Sequence, residues 1–502
     1  MSAPQRFQVV VVGGGPGGYV AAIRAAQYGL KTALVEGHKL GGECLNYGCI
    51  PSKALITAGH LVHKIQSAEK MGITVQGLNV DLAKLVDWKG GIVRQLTGGV
   101  GQLLKANGVT VFKGTATLEG FGGGLPNGGQ IKTLKVNGKL DSYDNVAMTG
   151  EDAVIEAENV ILATGSSSVQ IPSFPFNGKT VLGSREALEV KKTPKHVAVI
   201  GGGFIGLEIG SFFLKLGVKV TVIEATGTLL PGTDRDCVDL VAKKLQKKGV
   251  EILLNTAAKG VKDKGEGCVV TVETPQGPRD IEADFALVTV GRRPRTKGVG
   301  LERIGLKTDE RGFLAVNSRL ETSVPGVYAI GDIVGGPMLA HKASKEGLTA
   351  VEAIVDPKAR MDVRALPWAI FVDPEIAVVG HSEESAKAAG WDPVVGKCPF
   401  LANGRALTTG EAEGFIKLIA DRKTDRILGA HMVGPDVSNL VQEVATIIEM
   451  GGTAKDLASI VHAHPTLPET VMEAAESVHG LAVHFFEKKT RHVPATAPAH
   501  HA

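Results

Sequence analysis

The chain has 502 residues, of which 43% are hydrophobic and 21% charged, and its net charge is +3. That length exceeds what one hydrophobic core serves, so two to four domains are expected. The near-even charge balance offers no basic surface for nucleic acid or an anionic membrane, and no apolar run reaches the ~18 residues of a membrane span.

The first strand, Phe7 to Val12, begins almost at once and leaves no space for a secretory leader. Five cysteines in a chain this long argue against a disulfide framework and for a reducing compartment, so a cytoplasmic protein is expected. Gln8–Val12 reads as a buried parallel strand. Gly13-Gly-Gly15-Pro-Gly-Gly18 follows, then a helix from Tyr19 to Tyr28 and a second strand, Lys31–Val35, closed by Glu36.

Next comes Gly41-Gly-Glu-Cys44-Leu-Asn-Tyr-Gly-Cys49-Ile-Pro-Ser-Lys53. Zinc ribbons and thioredoxin-like sites favour two residues between cysteines, not four. On an ideal helix, residues five apart have Cα atoms roughly 8–9 Å apart, beyond the ~7 Å that a disulfide spans without backbone movement. Gly48 and Pro51 allow such movement. A bond between the two sulfurs, if it forms, is of the strained and easily reduced kind associated with catalysis. Cys237, Cys268 and Cys398 are scattered and read as bystanders.

Gly120–Val154 carries alternating patches that suggest an extended hairpin on the surface. The strand–glycine–helix pattern then returns. Val197–Ile200 leads into Gly201-Gly-Gly203-Phe-Ile205-Gly206, a helix, and Val218–Ile223 closed by Glu224. The acid falls 23 positions after the first glycine in both copies (36 − 13 and 224 − 201). In such a unit the first glycine makes the turn, the second admits a pyrophosphate and the third lets helix pack on strand. The helix N-terminus then faces the phosphates and the acid binds ribose hydroxyls. Two copies in register predict two dinucleotide sites. Glu224 repels a 2′-phosphate, so the second site favours NAD over NADP. The first flanks the cysteine pair, and FAD there would pass electrons between a dithiol and the nicotinamide.

With these motifs in place, the chain resembles the pyridine nucleotide–disulfide oxidoreductases, and most closely their dihydrolipoamide dehydrogenase branch. The likeness runs from about Phe7 to Phe486. It rests on the cysteine segment and on Ala163-Thr-Gly-Ser166, Val290-Gly-Arg-Arg-Pro294 and Val327-Tyr-Ala-Ile-Gly-Asp332. Leu339-Ala-His-Lys-Ala-Ser-Lys-Glu-Gly347, Phe400-Leu-Ala-Asn-Gly-Arg-Ala406 and His462-Ala-His464-Pro-Thr-Leu-Pro-Glu469 extend it. Gly404 and Pro468 stand where the family carries serine.

The resemblance implies an α/β fold with two Rossmann-like domains, for FAD and NAD, and a C-terminal α+β dimerisation domain. The boundaries are 1–155 and 283–357 for FAD, 156–282 for NAD and 358–488 for dimerisation, with a disordered tail at 489–502. It also implies a redox-active disulfide between Cys44, the interchange thiol, and Cys49, the charge-transfer thiolate beside the flavin. His464 would be the acid/base, oriented by Glu469, with Lys53 near the flavin edge paired with Glu208. His462 reads as structural or substrate-flanking.

FAD would meet Gly13, Gly15, Gly18, Glu36, Lys53, Ala116, Thr164, Gly165, Asp332, Leu339, Ala340 and His341. NAD would meet Gly201, Gly203, Ile205, Gly206, Glu224 and Gly291. No metal is expected. The expected partners are a second copy of the chain and the lipoyl domains of an E2 acyltransferase or a glycine-cleavage H protein. The alternatives are another flavoprotein disulfide reductase, or a non-catalytic FAD-binding assembly subunit.

Overall fold

Strand β1 (Gln5–Val12) is buried from Val9 onward, as a strand covered on both faces requires. The computed structural model describes residues 4–125, 128–138 and 150–486; the tail predicted at 489–502 lies outside them. The chain divides into two units. One takes it up to Pro194 together with Leu287–Asp362, and the other takes Lys195–Ala286 and the chain from Val363 onward.

In the first unit β1 pairs in parallel with β2 (Thr32–Glu36) on one side and with Ala153–Leu162 on the other. Thr110–Lys113 and Val327–Ala329 extend the parallel sheet outward from β2 and from Ala153–Leu162. The predicted boundary at 155/156 falls inside Ala153–Leu162, which pairs with β1 along its length. Helix α1 (Pro16–Gln27) buries Gly17, Gly18, Ala21, Ala22 and Ala25, a face of small residues. Small residues are needed there, because a Cβ on Gly347 of the helix Ala340–Val355 would lie 2.6 Å from the Gly17 carbonyl oxygen.

The hairpin expected within Gly120–Val154 is present but is not confined to the surface. Thr115–Gly124 pairs with Gln130–Asn137, which pairs in turn with the first half of Ala153–Leu162. Strand alternation turns Leu118, Leu134 and Val136 into the core beside Phe7 and Val10. The hairpin thus closes one face of the dinucleotide-binding unit.

The second unit repeats this succession. His196–Ile200, Lys219–Ile223 and Glu251–Leu253 are parallel, and Ala257–Asp263, Cys268–Thr274 and Gly277–Ala283 form an antiparallel meander. Its C-terminal part is an antiparallel sheet in the order Trp368–Ile370, Glu375–Gly380, Ile427–Gly434, Phe415–Asp421, Pro393–Pro399. The helices Val437–Met450 and Glu469–Val478 contribute Val441, Val444, Val471 and Ala475 to the core beneath it.

A buried charge cluster ties the two parts of this unit together. Asp373 lies 3.1 Å from Lys215, 2.8 Å from Lys244 and 3.2 Å from Lys248. Burial alone would raise its pKa, but the three ammonium charges overcome that and hold the carboxyl far below the usual range. The same burial lowers the pKa of Lys215, the deepest of the three. Because the folded-state pKa of Asp373 is depressed, its stabilisation is full above the unfolded value of about 4 and fades as the pH falls below it. Asp373→Asn leaves the three ammonium groups short of one negative charge. It is expected to cost about 3–5 kcal/mol at neutral pH and less in acid, as urea unfolding at the two pH values would record.

Candidate active site

The two cysteines meet because the helix between them is broken. Cys44 lies on α2 (Gly42–Tyr47), and Cys49 opens α3 (Cys49–Ser67). Gly48 separates them at φ −125 and ψ −100, far from helical values. This departure brings the sulfurs within hydrogen-bonding reach despite a spacing that an unbroken helix would hold apart. The structure carries the pair as two thiols. The hydrogen bond to Cys49 first, then burial, pushes the Cys44 thiol far above its ordinary value, with Lys53 acting in the opposite direction. Lys53 is one helical turn beyond Cys49 on α3.

The pair is fastened to the first glycine turn. Gly41 donates its N–H to the Gly14 carbonyl at 2.8 Å, and a Cβ on Gly42 would lie 2.6 Å from the Gly15 Cα. Gly13, at φ +107, packs so closely that a Cβ would sit 2.3 Å from the Ala163 carbonyl oxygen. Glu36 accepts from the N–H groups of Gly14 at 2.5 Å and His38 at 2.6 Å. Burial raises its pKa, and those two hydrogen bonds oppose the rise.

The second turn repeats the device. Gly201 has φ +104, and Glu224 accepts from Gly202 N–H at 2.7 Å and from Thr226 N–H and Oγ1, both at 2.8 Å. The sequence placed the acids correctly in register but did not reveal these bonds to the middle glycines, Gly14 and Gly202.

Both turns fit a dinucleotide. Gly15 and Gly203 are the N-caps of α1 and of Phe204–Lys215, and neither helix has a side-chain cap. Their first N–H groups are therefore available to an anion. Around Gly203 a Cβ would meet nothing within 4 Å, and at Gly15 only the Gly42 Cα at 3.9 Å, so each turn leaves room for a pyrophosphate. Gly18 and Gly206 lie on the buried faces of these helices, and Ile205 is half-buried in the first turn. Glu208, also buried, accepts from the Phe371 N–H at 2.9 Å.

Other predicted contacts gather around the first turn's unit. Thr164 Oγ1 donates to the Arg295 carbonyl at 2.6 Å, and Ser166–Ser168 pairs with Arg292–Pro294, so the two crossover motifs form one small ribbon. Gly165 and Gly291 both have positive φ. Asp332 accepts a hydrogen bond from Ser166 Oγ, which receives one from Arg292 Nε at 2.8 Å. Glu346 links this segment to the helix begun by Ala340, accepting from Gly331 N–H at 2.7 Å. Leu339 caps that helix and His341 is exposed in its first turn. Ala116 is buried, its side chain in the core.

In the second unit His464 Nδ1 lies 2.9 Å from Glu469 Oε1, with the imidazole side chain 80% exposed. Glu469 Oε2 accepts from Thr466 N–H at 2.7 Å. Burial works against its ionisation, but that bond and His464 prevail and lower its pKa. Pro468 occupies the cap position and Glu469 opens the helix, so proline in place of serine leaves the His–Glu pair joined. His462 is held by the Ile460 carbonyl and Glu443, at 2.8 and 2.7 Å, which suits a structural part. Cys237, Cys268 and Cys398 are buried.

Sequence reasoning quoted Asn403 within a motif but gave it no task. Its side chain caps Gly404–Thr409 and donates to the Thr466 carbonyl at 2.9 Å, anchoring the loop that carries His464. Asn403→Ala is expected to cost about 1–2 kcal/mol of stability and to lower turnover roughly tenfold with bound flavin unchanged. Thermal unfolding, steady-state rates and visible absorbance would check the three parts.

Residues 7–347 match the pyridine nucleotide-disulphide oxidoreductase family, and residues 366–475 match that family's dimerisation domain. The chain is 47% identical to dihydrolipoyl dehydrogenase of Haloferax volcanii, over 95% of this chain and 97% of the relative. It is 44% identical to that of Geobacillus stearothermophilus, over 96% and 98%. It superposes on the crystal structure of LpdA from Mycobacterium tuberculosis with a TM-score of 0.85 at 28% identity, over 94% of this chain and 99% of that one. The chain belongs to the pyridine nucleotide–disulphide oxidoreductase family, groups there with the dihydrolipoyl dehydrogenases, and carries the family's homodimerisation domain.

Proposed function

We propose that this chain oxidises the dihydrolipoyl arm of a carrier protein to its cyclic disulfide, with FAD as the internal and NAD as the final electron acceptor. The observation that supports this most strongly is the approach of Cys44 and Cys49 across the Gly48 break, beside a glycine turn open to a dinucleotide.

In the oxidised pair, a substrate thiolate attacks the Cys44 sulfur, the Cys44–Cys49 bond breaks, and Cys49 leaves as a thiolate. The second substrate thiol displaces Cys44, its proton passing by way of His464 to the departing Cys44 sulfur, and the lipoyl ring closes; the first thiol's proton is lost to solvent as its thiolate forms. Two electrons have then passed to the cysteine pair and two protons have left the substrate. The hydrogen bond to Cys49 and burial both favour the protonated form of Cys44. FAD, held at the Gly13–Gly18 turn, would supply the two-electron relay between the cysteine pair and NAD at the Gly201–Gly206 turn. Glu469 holds Nδ1 of His464, which leaves Nε2 for the substrate proton. Lys53, one turn beyond Cys49 on α3, would lie near the flavin in the same reading.

In the homodimer the partner subunit's His464 serves the cysteine pair, so neither protomer alone holds a complete site. The carrier is a lipoyl domain of an E2 acyltransferase or a glycine-cleavage H protein, and the protein works in the cytoplasm. Glu224, already committed to Gly202 and Thr226, adds a negative charge where NADP would bring its phosphate.

Anaerobic titration of the flavin-loaded dimer with dihydrolipoamide should raise a long-wavelength thiolate-to-flavin band, which Cys49→Ser abolishes. His464→Gln should lower NAD-linked turnover by roughly 10²–10⁴-fold with unchanged flavin content. A flavoprotein that dihydrolipoamide fails to reduce would refute the reading and favour an assembly subunit.

A further inference from the structure

Glu43 and Tyr47 lie four residues apart on α2, hence on one face of it, with Cys44 between them in the chain. Both side chains reach Arg185, on the turn Ser184–Ala187. Glu43 places both carboxylate oxygens 3.0 Å from Arg185 Nε and also accepts from Nη2. The guanidinium carbon lies 4.4 Å from the centre of the Tyr47 ring. His38 stacks on that ring at 5.4 Å and meets its hydroxyl at 2.5 Å.

Glu43 extends the network toward the flavin side. Its Oε1 is 3.4 Å from Arg292 Nη1. Arg292 donates to Ser166 Oγ at 2.8 Å and to the Ser166 carbonyl at 3.0 Å, and Ser166 Oγ donates to Asp332. A continuous set of polar contacts therefore runs from the residue before Cys44 to the carboxylate of Asp332, an expected FAD contact. The side chains of Arg185 and Arg292 are 14% exposed and that of Glu43 is 23% exposed, so solvent screens their charges weakly.

We propose that Glu43, clamped by Arg185 and Arg292 with Tyr47 bracing Arg185, is a positioning residue that sets the charge balance at the cysteine pair. The proposal rests on the reading of Cys44 and Cys49 as the exchanging sulfurs. Among the described residues, other charged or titratable groups facing the pair or its clamp include Lys53 on α3, Tyr19 on α1, Lys39 and His38 before α2, and Arg295 beyond Arg292. Of the clamp's three charges, two are positive, and Glu43 is the one that offsets them. Burial opposes its ionisation, but the Arg185 hydrogen bond and the three arginine charges keep it ionised.

The test is a pH titration of the long-wavelength band in reduced, flavin-loaded dimer. Glu43→Gln keeps the side-chain shape and removes the negative charge, so the remaining guanidinium groups should favour the thiolate. The half-point should move to lower pH by about 0.5 unit or more. Arg185→Met should move it to higher pH, and Arg185→Lys should return it toward the parent value. A clamp that merely held the backbone would shift Glu43→Gln and Arg185→Met alike. Shifts of equal sign, or none, in flavin-retaining variants overturn the proposal. If one variant loses flavin, the sign of the other against Arg185→Lys decides. If the parent protein forms no band at all, the cysteine reading fails and takes this proposal with it; a normal parent band with unmoved variants defeats the clamp alone.

Discussion

The site depends on how closely two pairs of glycines approach. Gly41 is hydrogen-bonded to Gly14, and Gly42 lies so close to Gly15 that a Cβ on Gly42 would fall 2.6 Å from its backbone. That approach sets the distance between the cysteine helix and the pyrophosphate cradle before any side chain contributes. Gly48 then does for the sulfurs what Gly42 does for the helix, turning the backbone so that two residues otherwise separated can touch. Gly41 and Gly42, at φ +91 and +58, take the left-handed backbone that glycine adopts most readily.

Charge is handled differently in the two units. Around the cysteines, two carboxylates are joined through a guanidinium and a hydroxyl along a partly buried path, Glu43 to Arg292 to Ser166 to Asp332. At Asp373 three cations converge on one anion and stabilise packing. The acid/base pair takes a third form. In the single chain the His464 side chain is 80% exposed while its carboxylate partner Glu469 is anchored by the Thr466 N–H, so the imidazole is oriented from one side only.

Much of this was legible in the sequence because the informative residues are local. The glycine turns, the acids that close the second strands, and the five-residue step from His464 to Glu469 each declare themselves within a short window. What the sequence withheld is non-local. Arg185 stands 142 positions from Glu43 in no motif, and only folding shows that the two share a fork of hydrogen bonds. Asn403 reaches the histidine loop across 63 residues. The hairpin misled in part because glycine-rich Gly120–Gly124 looks like a surface excursion, whereas Leu118, Leu134 and Val136 give it a buried face. Periodicity exposed the strands, but which face met the core depended on partners far along the chain.

The two dinucleotide folds differ most in one connection. After Lys219–Ile223 the second copy crosses to its next parallel strand through a single helix, Arg235–Lys247. After β2 the first copy inserts α2, α3 and Leu82–Ala106 before reaching Thr110–Lys113. Cys44, Cys49 and Lys53 all lie in that excursion. A plain nucleotide-binding module can thus gain electron-transfer chemistry by lengthening one crossover, leaving its own sheet and phosphate cradle as they were.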